Sequence, residues 1–444
     1  MIRKKHIALF FVLALLSLLS FPRLAPAAQP KAPAAADNGY DIMMLIDSSG
    51  SMRKTDPHDN RKAAAKLFIT LMGESDRAGI VSFGDTAKVL SPLLYTSKAN
   101  QGALFSAIDR ISSKEFSTHI QDGVQKGYEA INPSQRSHRA LILMSDGKLT
   151  LGSKEKEDAA RAELSRLLPG LAQERIKLYS IAFTEMSDVN LLESMAKATG
   201  GFFKYAMTDK DIHVIFTSIF EKIKSPDSIP LEGNAFNVDK NIQEVILVIS
   251  KQPGTSTAIV DPAGRKYTPA RYHKSMKWYE AKFFSMITIQ SPAVGRWQVN
   301  LSTQEGNKVF VITNLSLKSS FDRNFVNRGD GVKIDAWLEK DGGMVNEKDV
   351  LDQISFSAVV TGPDGKSVKN ALLDDGKSGD GAAGDGKYAY ELAADRLGEF
   401  SVKIAAEGKT FKREKTLQFK VVEPPAGQQA APRSAAGKKA AAAA

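Results

Sequence analysis

The sequence predicts an α/β domain, with a doubly wound, mostly parallel, Rossmann-like sheet, followed by two all-β sandwich domains. Up to about residue 224, short apolar runs alternate with amphipathic helical segments, which is typical of a parallel sheet covered by helices. From residue 226 onward, short segments of alternating polarity are separated by turn residues, a pattern typical of β-sandwiches. The length of 444 residues favours several domains over a single core.

The N-terminal segment has the order of a secretory signal. Basic residues at positions 3–5 precede an apolar run over 7–19, and Ala25-Pro26-Ala27 provides a small-residue cleavage site. We therefore expect residues 1–27 to be a signal peptide and the Ala- and Pro-rich residues 28–38 to be a flexible leader. The predicted location of the protein is the periplasm or the cell surface of a bacterium. The alternative is an uncleaved N-terminal membrane anchor, since no other stretch is apolar enough to span a bilayer.

Composition excludes several classes of function. The formal net charge of +10 is spread along the chain, without the basic blocks interleaved with aromatics that nucleic-acid binding requires. The chain has no cysteine, which excludes disulfides, thiolate catalysis and Cys-based zinc sites. We therefore expect neither a nucleic-acid partner nor redox chemistry at sulfur.

The α/β domain is predicted to occupy residues 39–224. Its strands are expected at the apolar runs 42–46, 77–83, 140–144, 177–183 and 202–205. Its helices are expected at 61–72, 99–111, 120–130, 155–173, 189–199 and 210–223.

The two sandwiches are predicted at residues 226–319 and 320–422, and residues 423–444 are expected to form a disordered tail. The first sandwich is rich in aromatic residues, which we assign to its core because alternation alone explains them. The alternative is that they stack against a carbohydrate. These residues are Trp278, Tyr279, Phe283, Phe284 and Trp297.

Oxygen-bearing side chains gather where the first predicted strand ends. Asp47, Ser49 and Ser51 follow that strand directly, and Gly50 allows the backbone to turn so that both hydroxyls converge. Asp146 follows another strand of the same predicted sheet, and the carboxyl ends of parallel strands share one edge. Oxygen ligands with few carboxylates favour Mg²⁺, with Mn²⁺ or Ca²⁺ as alternatives. The sequence therefore predicts a metal site at this edge, with Thr118 as a further ligand.

With these motifs, residues 40–224 resemble a von Willebrand factor A domain that carries a metal-ion-dependent adhesion site. The segments 53–57, 76–84 and 141–147 also resemble the helix and strand pattern of that family. The resemblance implies that Ser49, Ser51 and Thr118 hold the metal directly, and that Asp47 and Asp146 act directly or through water. Because the family often has glycines before its threonine, where this chain has Glu115-Phe116-Ser117, Ser117 stays open as the alternative third hydroxyl.

The resemblance also implies a function. An open coordination position on the metal would accept an exposed Asp or Glu of a protein partner, as in adhesion domains of the family. Arg53 and Lys54 would attract such a partner, although a solvated approach to a helix explains them equally well. His119 adjoins the motif and is more simply explained as a residue that starts a helix.

A second acidic segment lies in the last β domain. Asp374, Asp375, Asp380 and Asp385 are interspersed with glycines and would wrap a Ca²⁺ ion; tight turns are the alternative explanation. An A domain followed by β domains and this segment also resembles the layout of calcium-activated chloride channel regulators. Those proteins carry a zinc protease module, whereas this chain has no H-E-x-x-H motif, so no protease activity is expected.

We therefore expect a binding protein and no enzyme. The nucleophile elbow, the P-loop and the zinc protease helix are all missing from the sequence. Two alternatives remain. One is a structural scaffold in which the metal only stabilises the fold, and the other is a hydrolase that uses a metal-activated water.

Overall fold

The computed structural model describes residues 39–424, except residue 378 and the side chain of residue 209. The predicted signal peptide, the predicted leader up to residue 38, and the predicted tail from residue 425 lie outside the described residues. In the part described, no helix is long and apolar enough to cross a membrane.

The α/β region alternates strands and helices along the chain. Its strands are β1 (Tyr40–Asp47), β2 (Arg77–Phe83), β3 (Lys88–Tyr95), β4 (His138–Ser145), β5 (Ile176–Ala182) and β6 (Phe203–Tyr205). Its helices are α1 (Met52–Thr55), α2 (Asn60–Leu71), α3 (Lys98–Asp109), α4 (Ile120–Ile131), α5 (Lys154–Gln173), α6 (Val189–Ala198) and α7 (Ile212–Lys224).

These strands form one sheet in the order β3-β2-β1-β4-β5-β6. All neighbouring pairs are parallel except β2 and β3, which are antiparallel. The sequence prediction missed β3 because Pro92 interrupts it and most of its side chains are at least partly exposed. Such a segment is tolerated at the edge of a sheet, where a missing N–H group breaks no ladder.

Central strand β1 is buried on both faces, as expected for a strand between two helical layers. Met44 and alternate residues pack with α2, α3 and α7, whereas Met43 and Leu45 face α4, α5 and α6. Helix α4 approaches β1 closely at Gly127, where an added Cβ atom would lie 2.5 Å from Leu45 Cδ2. The sheet edge that carries the predicted metal residues is thus held by packing on both sides.

The rest of the described chain is almost entirely β-structure. The strands that follow the α/β region are β7 (Asp227–Ser228), β8 (Ala235–Val238), β9 (Ile242–Ser250), β10 (Ile259–Val260), β11 (Lys266–Tyr267), β12 (Met276–Glu280), β13 (Phe284–Gln290), β14 (Gly295–Val299) and β15 (Lys308–Thr313). The last strands are β16 (Leu315–Lys318), β17 (Phe325–Asn327), β18 (Gly331–Lys340), β19 (Gly343–Met344), β20 (Ser355–Thr361), β21 (Ser367–Ala371), β22 (Tyr388–Ala393), β23 (Gly398–Glu407) and β24 (Lys412–Val422), with the short helix α8 (Lys348–Leu351) among them.

Two hydrophobic cores lie in this β region. One contains Trp297 and residues of β8, β9, β13 and β15, and the other contains Phe419 and residues of β16, β18, β20 and β23. Strand β16 pairs with β18, so the second sandwich takes in residues from Leu315, ahead of the predicted boundary at 319/320. Strand β7 pairs with both β15 and β24, which joins the two sandwiches through one continuous ten-stranded sheet within the described residues.

Helix α7 connects the α/β region to the β region by packing against the sheet of the first sandwich. Phe220 contacts Phe310 edge to face with ring centroids 5.5 Å apart, and His213 stacks on Phe284 at 5.1 Å. Of the aromatics predicted to form a core, Phe283, Phe284 and Trp297 are buried, while Trp278 and Tyr279 are half-buried. Phe284 in fact serves the junction with α7 and not the centre of the sandwich.

Candidate metal centre

The two predicted acidic ligands lie on neighbouring strands. Asp47 ends β1 and Asp146 directly follows β4, and these strands pair in parallel, with Ile46 opposite Met144. Both carboxylates are almost fully buried. The parallel register therefore brings them to one edge of the sheet, as the sequence predicts.

The carboxylate of Asp47 is fixed by residues on both neighbouring segments. Its Oδ1 atom accepts a 2.7 Å hydrogen bond from the amide of Ser49, and its Oδ2 atom accepts a 2.6 Å bond from the hydroxyl of Ser145. The Ser49 bond closes the turn after β1, and the Ser145 bond connects β1 to β4. Both oxygens are thus oriented before any ligand arrives.

The hydroxyls after β1 connect Asp47 to Asp146. The Oγ atoms of Ser49 and Ser51 lie 2.9 Å apart, and Ser51 donates a 2.8 Å hydrogen bond to Oδ1 of Asp146. The hydroxyl of Thr55 donates to the other oxygen of Asp146. Helix α1 begins after Ser51 and ends at Thr55, so one helical turn places both hydroxyls on the same carboxylate.

Thr118 reaches the site from the loop between α3 and α4. Its backbone pairs with Thr150 through N–H···O bonds of 3.1 and 3.3 Å, and its side chain is buried. Its Oγ1 atom lies 3.1 Å from the position that a Cβ atom on Gly147 would occupy. Among the residues that the structure describes, no hydrogen-bond partner of this hydroxyl is found. Thr118 therefore brings a free oxygen to the loop that carries Asp146.

Ser117, the alternative third hydroxyl, is not one of the residues that line the cleft above the site. Its amide donates a 2.8 Å hydrogen bond to Asp85, which also accepts a 3.0 Å bond from the amide of Phe116. His119 starts α4 and donates its amide to the carbonyl of Gly84. The structure thus brings Thr118 to the cleft and leaves Ser117 and His119 outside it.

The electrostatics of the site suit a cation. Burial, together with the neighbouring charge of Asp146, raises the pKa of Asp47 to about 6, although its hydrogen bonds from Ser49 and Ser145 act in the opposite direction. Across the described residues, neither Asp47 nor Asp146 has a Lys, Arg or His within ion-pair distance. A buried pair of carboxylates without a counter-charge is unfavourable unless protonated or bound to a cation. The residues present therefore fit a hard divalent ion, with hydroxyls completing its oxygen shell.

An open cleft of about 830 Å³ lies above these residues. Ser49, Ser51, Thr118 and Asp146 lie in its wall. Around them are basic residues, acidic residues and two apolar residues, namely Arg53, Lys114, Lys148, Glu115, Glu185, Phe116 and Met186. Lys54, which the sequence also suggested, is not among the lining residues. A ligand can thus approach the acidic centre from solvent.

Three of the four aspartates in the acidic loop of the second sandwich lie close together. Asp374, Asp380 and Asp385 place carboxylate oxygens within 4.8 Å of one another. Asp375 does not belong to this group; its carboxylate accepts the amide of Lys377 at 2.9 Å. The amides of Gly384 and Gly386 donate to the carboxylate of Asp374 at 2.5 and 2.8 Å. The loop is thus organised around Asp374, with the other two aspartates beside it.

Comparison with known families identifies the α/β region. Residues 41–221 match the model of the von Willebrand factor type A domain. We call this region, which is similar to that family, the A domain. Behind the A domain, residues 223–316 match the hemicentin galactose-binding domain-like family, and residues 315–417 match the second Ig-like domain of conditioned medium factor. The predicted order of an α/β domain followed by β domains is thereby confirmed.

Known proteins resemble the chain over different lengths. Calcium-activated chloride channel regulator 1 of Sus scrofa is 25% identical over 400 residues, which cover 83% of this chain and 41% of that protein. Inter-alpha-trypsin inhibitor heavy chain H3 of Rattus norvegicus is 23% identical over 194 residues, or 42% of this chain and 21% of that protein. The chain therefore spans less than half the length of these relatives, and the likeness to the chloride channel regulators extends beyond the A domain.

Solved structures resemble the chain over part of its length. A von Willebrand factor type A protein from Catenulispora acidiphila has a TM-score of 0.38 and 14% identity, covering 69% of this chain and 64% of its own. Proximal thread matrix protein 1 of the mussel byssus, solved with a zinc-occupied adhesion-site motif, has a TM-score of 0.35 and 20% identity, covering 42% and 46%.

Sequence reasoning missed two side chains that hold the acidic pair. Ser145 orients Asp47, and Thr55 binds Asp146. Ser145 could have been suspected because it immediately precedes Asp146 at a strand end. Thr55 gave no such signal, since its role depends on one turn of α1 that only the folded loop defines.

Proposed function

We propose that this protein binds a divalent cation, with Mg²⁺ as the best fit, and uses it to capture a carboxylate of a protein partner. Ser49, Ser51 and Thr118 would supply neutral oxygens, and Asp47 and Asp146 would supply the charge, directly or through water. Two carboxylates formally neutralise a divalent ion. The ion would then accept an Asp or Glu of the partner at a position open to the cleft. Mn²⁺ and Ca²⁺ are the alternative ions.

The observation that carries this proposal is the uncompensated pair of buried carboxylates beneath an open cleft. Burial, together with the neighbouring charge of Asp146, raises the pKa of Asp47 to about 6, yet both carboxylates are kept buried. A turn with only a structural role would not require two buried acids, because burying carboxylates without a counter-charge is unfavourable. A cation removes the repulsion, and the hydroxyls gathered around it match the preference of a hard ion.

We place the mature protein outside the inner membrane of a bacterium, in the periplasm or at the surface, because of the N-terminal signal pattern. We propose no catalytic activity, because no histidine lines the cleft in the described residues and the two buried acids of the site would be taken up by the metal. Hydrolysis of phosphoesters that Asp146→Asn abolishes would contradict this.

A display experiment tests the capture of a carboxylate. The immobilised full chain is panned against random peptides in Mg²⁺, and bound peptides are released with EDTA. We expect Asp or Glu to be enriched for the wild type and the control Asp109→Asn, which changes an exposed carboxylate on α3. Asp47→Asn and Thr118→Val should recover no such peptides.

Two results would overturn the proposal. Recovery of the same peptides by the Asp47→Asn variant, or in the presence of chelator throughout, would exclude recognition through a metal. If Mg²⁺ raises the melting temperature of the wild type but no acidic peptide is ever enriched, the metal only stabilises the fold and the scaffold alternative is right.

A further inference from the structure

Two large apolar side chains stand exposed at the rim of the metal cleft. Phe116 is 96% exposed and Met186 is 70% exposed. Single apolar residues on a surface need no explanation, but these two line the same cleft and belong to different loops. Both therefore lie at the cleft in which the proposed function places a partner's carboxylate.

Both side chains are carried by backbone that is tied to the metal residues. Phe116 lies two residues before Thr118, and its amide donates a 3.0 Å hydrogen bond to Asp85. The amide of Met186 donates a 3.2 Å bond to the hydroxyl of Thr184, which in turn donates a 3.1 Å bond to the backbone carbonyl of Asp146. The backbone that carries the two apolar groups is therefore anchored close to the metal residues, which lowers the entropic cost of binding on them.

The charges of the rim indicate which kind of partner fits. Arg53, Lys114 and Lys148 are exposed and have no carboxylate within ion-pair distance in the described part of the chain. Of the acidic rim residues, Glu115 is already engaged by the amide of Asp85 at 2.6 Å and lies 3.7 Å from Lys88, which leaves Glu185 as the exposed acid. An acidic segment would be attracted to this surface, and a neutral apolar one would gain no electrostatic help.

We propose that the partner segment carries an apolar side chain directly beside its metal-binding Asp or Glu, and that this side chain packs between Phe116 and Met186. This inference rests on the proposed function and adds the sequence preference of the partner. The contact between metal and carboxylate would orient the partner segment. Contact with the apolar pair would distinguish this segment from the many other acidic residues on protein surfaces. An aromatic ring and a flexible thioether suit aliphatic and aromatic neighbours alike.

The test uses a display library of peptides with a fixed central Asp and random neighbours, panned against the full chain in Mg²⁺ and eluted with EDTA. For the wild type we expect Leu, Ile, Val, Met or Phe to be enriched next to the Asp. A synthetic peptide from that pool should bind Phe116→Ser/Met186→Ser about tenfold more weakly, equivalent to about 1.4 kcal/mol. Control Val368→Ser, which removes an exposed apolar side chain in the second sandwich, should bind like the wild type.

The outcomes separate this inference from the proposed function. If Asp peptides are captured with Mg²⁺ but show no apolar preference, the inference is wrong and the proposed function stands. If capture does not depend on metal or on the Asp, both fail. Unchanged binding of Mn²⁺ by the double variant shows that the site itself is intact. Metal-independent binding to phosphatidylserine vesicles, lost in the same double variant, would assign Phe116 and Met186 to a membrane and overturn the inference.

Discussion

Ser51 donates a 2.8 Å hydrogen bond to the carboxylate of Asp146, a residue 95 positions further along the chain. This bond joins the loop after β1 to the end of β4, so the hydroxyl and one acid of the proposed metal site are already in contact. A cation between them would have to turn the hydroxyl so that its lone pairs face the ion. Metal binding would therefore change the orientation of hydroxyl hydrogens and side-chain rotamers, while the backbone positions set by the sheet would stay the same.

The choice between Thr118 and Ser117 can be tested by removing one hydroxyl at a time. Thr118→Val keeps the shape of the side chain and should weaken Mn²⁺ binding at least tenfold, because a neutral oxygen ligand is lost. Ser117→Ala should change the affinity less than twofold, since that side chain does not line the cleft. Titration calorimetry with Mn²⁺ measures both. Equal losses in the two variants would contradict the assignment of Thr118.

Asp47→Asn should stabilise the protein when no metal is present. The charged form of Asp47 is disfavoured in the fold, because burial and Asp146 raise its pKa from 3.8 to about 6. Removing this charge at pH 7 should raise the free energy of unfolding by up to about 3 kcal/mol. Urea unfolding in EDTA measures this difference. In saturating Mg²⁺ the same experiment should find the wild type more stable than the variant. A variant less stable than the wild type in EDTA would contradict the proposed repulsion.

His213 should make the junction between α7 and the first sandwich sensitive to acid. Burial lowers the pKa of His213 to about 4, and the neutral ring lies 2.8 Å from the hydroxyl of Ser250. Because the unfolded chain binds its proton near pH 6.5, stability is fully present above that pH and is lost as pH falls toward 4. The loss should reach about 3 kcal/mol.

The effect of His213 is best measured in EDTA and in the Asp47→Asn background, which removes the opposing titration of Asp47. His213→Gln should flatten the decline in unfolding free energy between pH 6.5 and pH 4.5. Asp211, which lies two residues before the histidine and favours its charged form, is left unchanged in both proteins. The same slope with and without His213 would show that the junction does not respond to this group.

The loop around Asp374 remains a predicted calcium site. If it binds Ca²⁺, millimolar Ca²⁺ should raise the melting temperature of the wild type, as expected for an affinity in the range of extracellular modules. Asp380→Asn should remove that increase, and Asp375→Asn should keep it, because only Asp380 lies in the cluster with Asp374 and Asp385. Scanning calorimetry with Mg²⁺ held in excess separates this effect from the A domain. An equal response of both variants would contradict a calcium role for the cluster.

The sequence was sufficient to locate the candidate site because its information is local. Asp47 and Asp146 each follow an apolar run directly, and parallel strands bring their ends to one edge. Features that depend on distant contacts were not predictable. Strand β7 is too short to be predicted from its sequence, although it joins the two sandwiches. The alternation of polar and apolar residues around Phe284 predicts that this side chain is buried, but it does not predict contact with α7. In the sequence, Phe116 is noticeable only because it lies where the von Willebrand factor A family often has a glycine. Its exposure is visible only in the structure.

Water-proton relaxation shows directly whether a metal in the A domain keeps an open position for a carboxylate. Mn²⁺ is bound to the full chain, and the enhancement of water-proton relaxation is followed while N-acetyl-aspartate amide is added. We predict a high enhancement, from water on the ion, that falls as the carboxylate displaces this water, and no such response in Asp47→Asn. Failure of the wild type to bind Mn²⁺, or an enhancement that the carboxylate leaves unchanged, would contradict the proposed capture of a carboxylate by the bound metal.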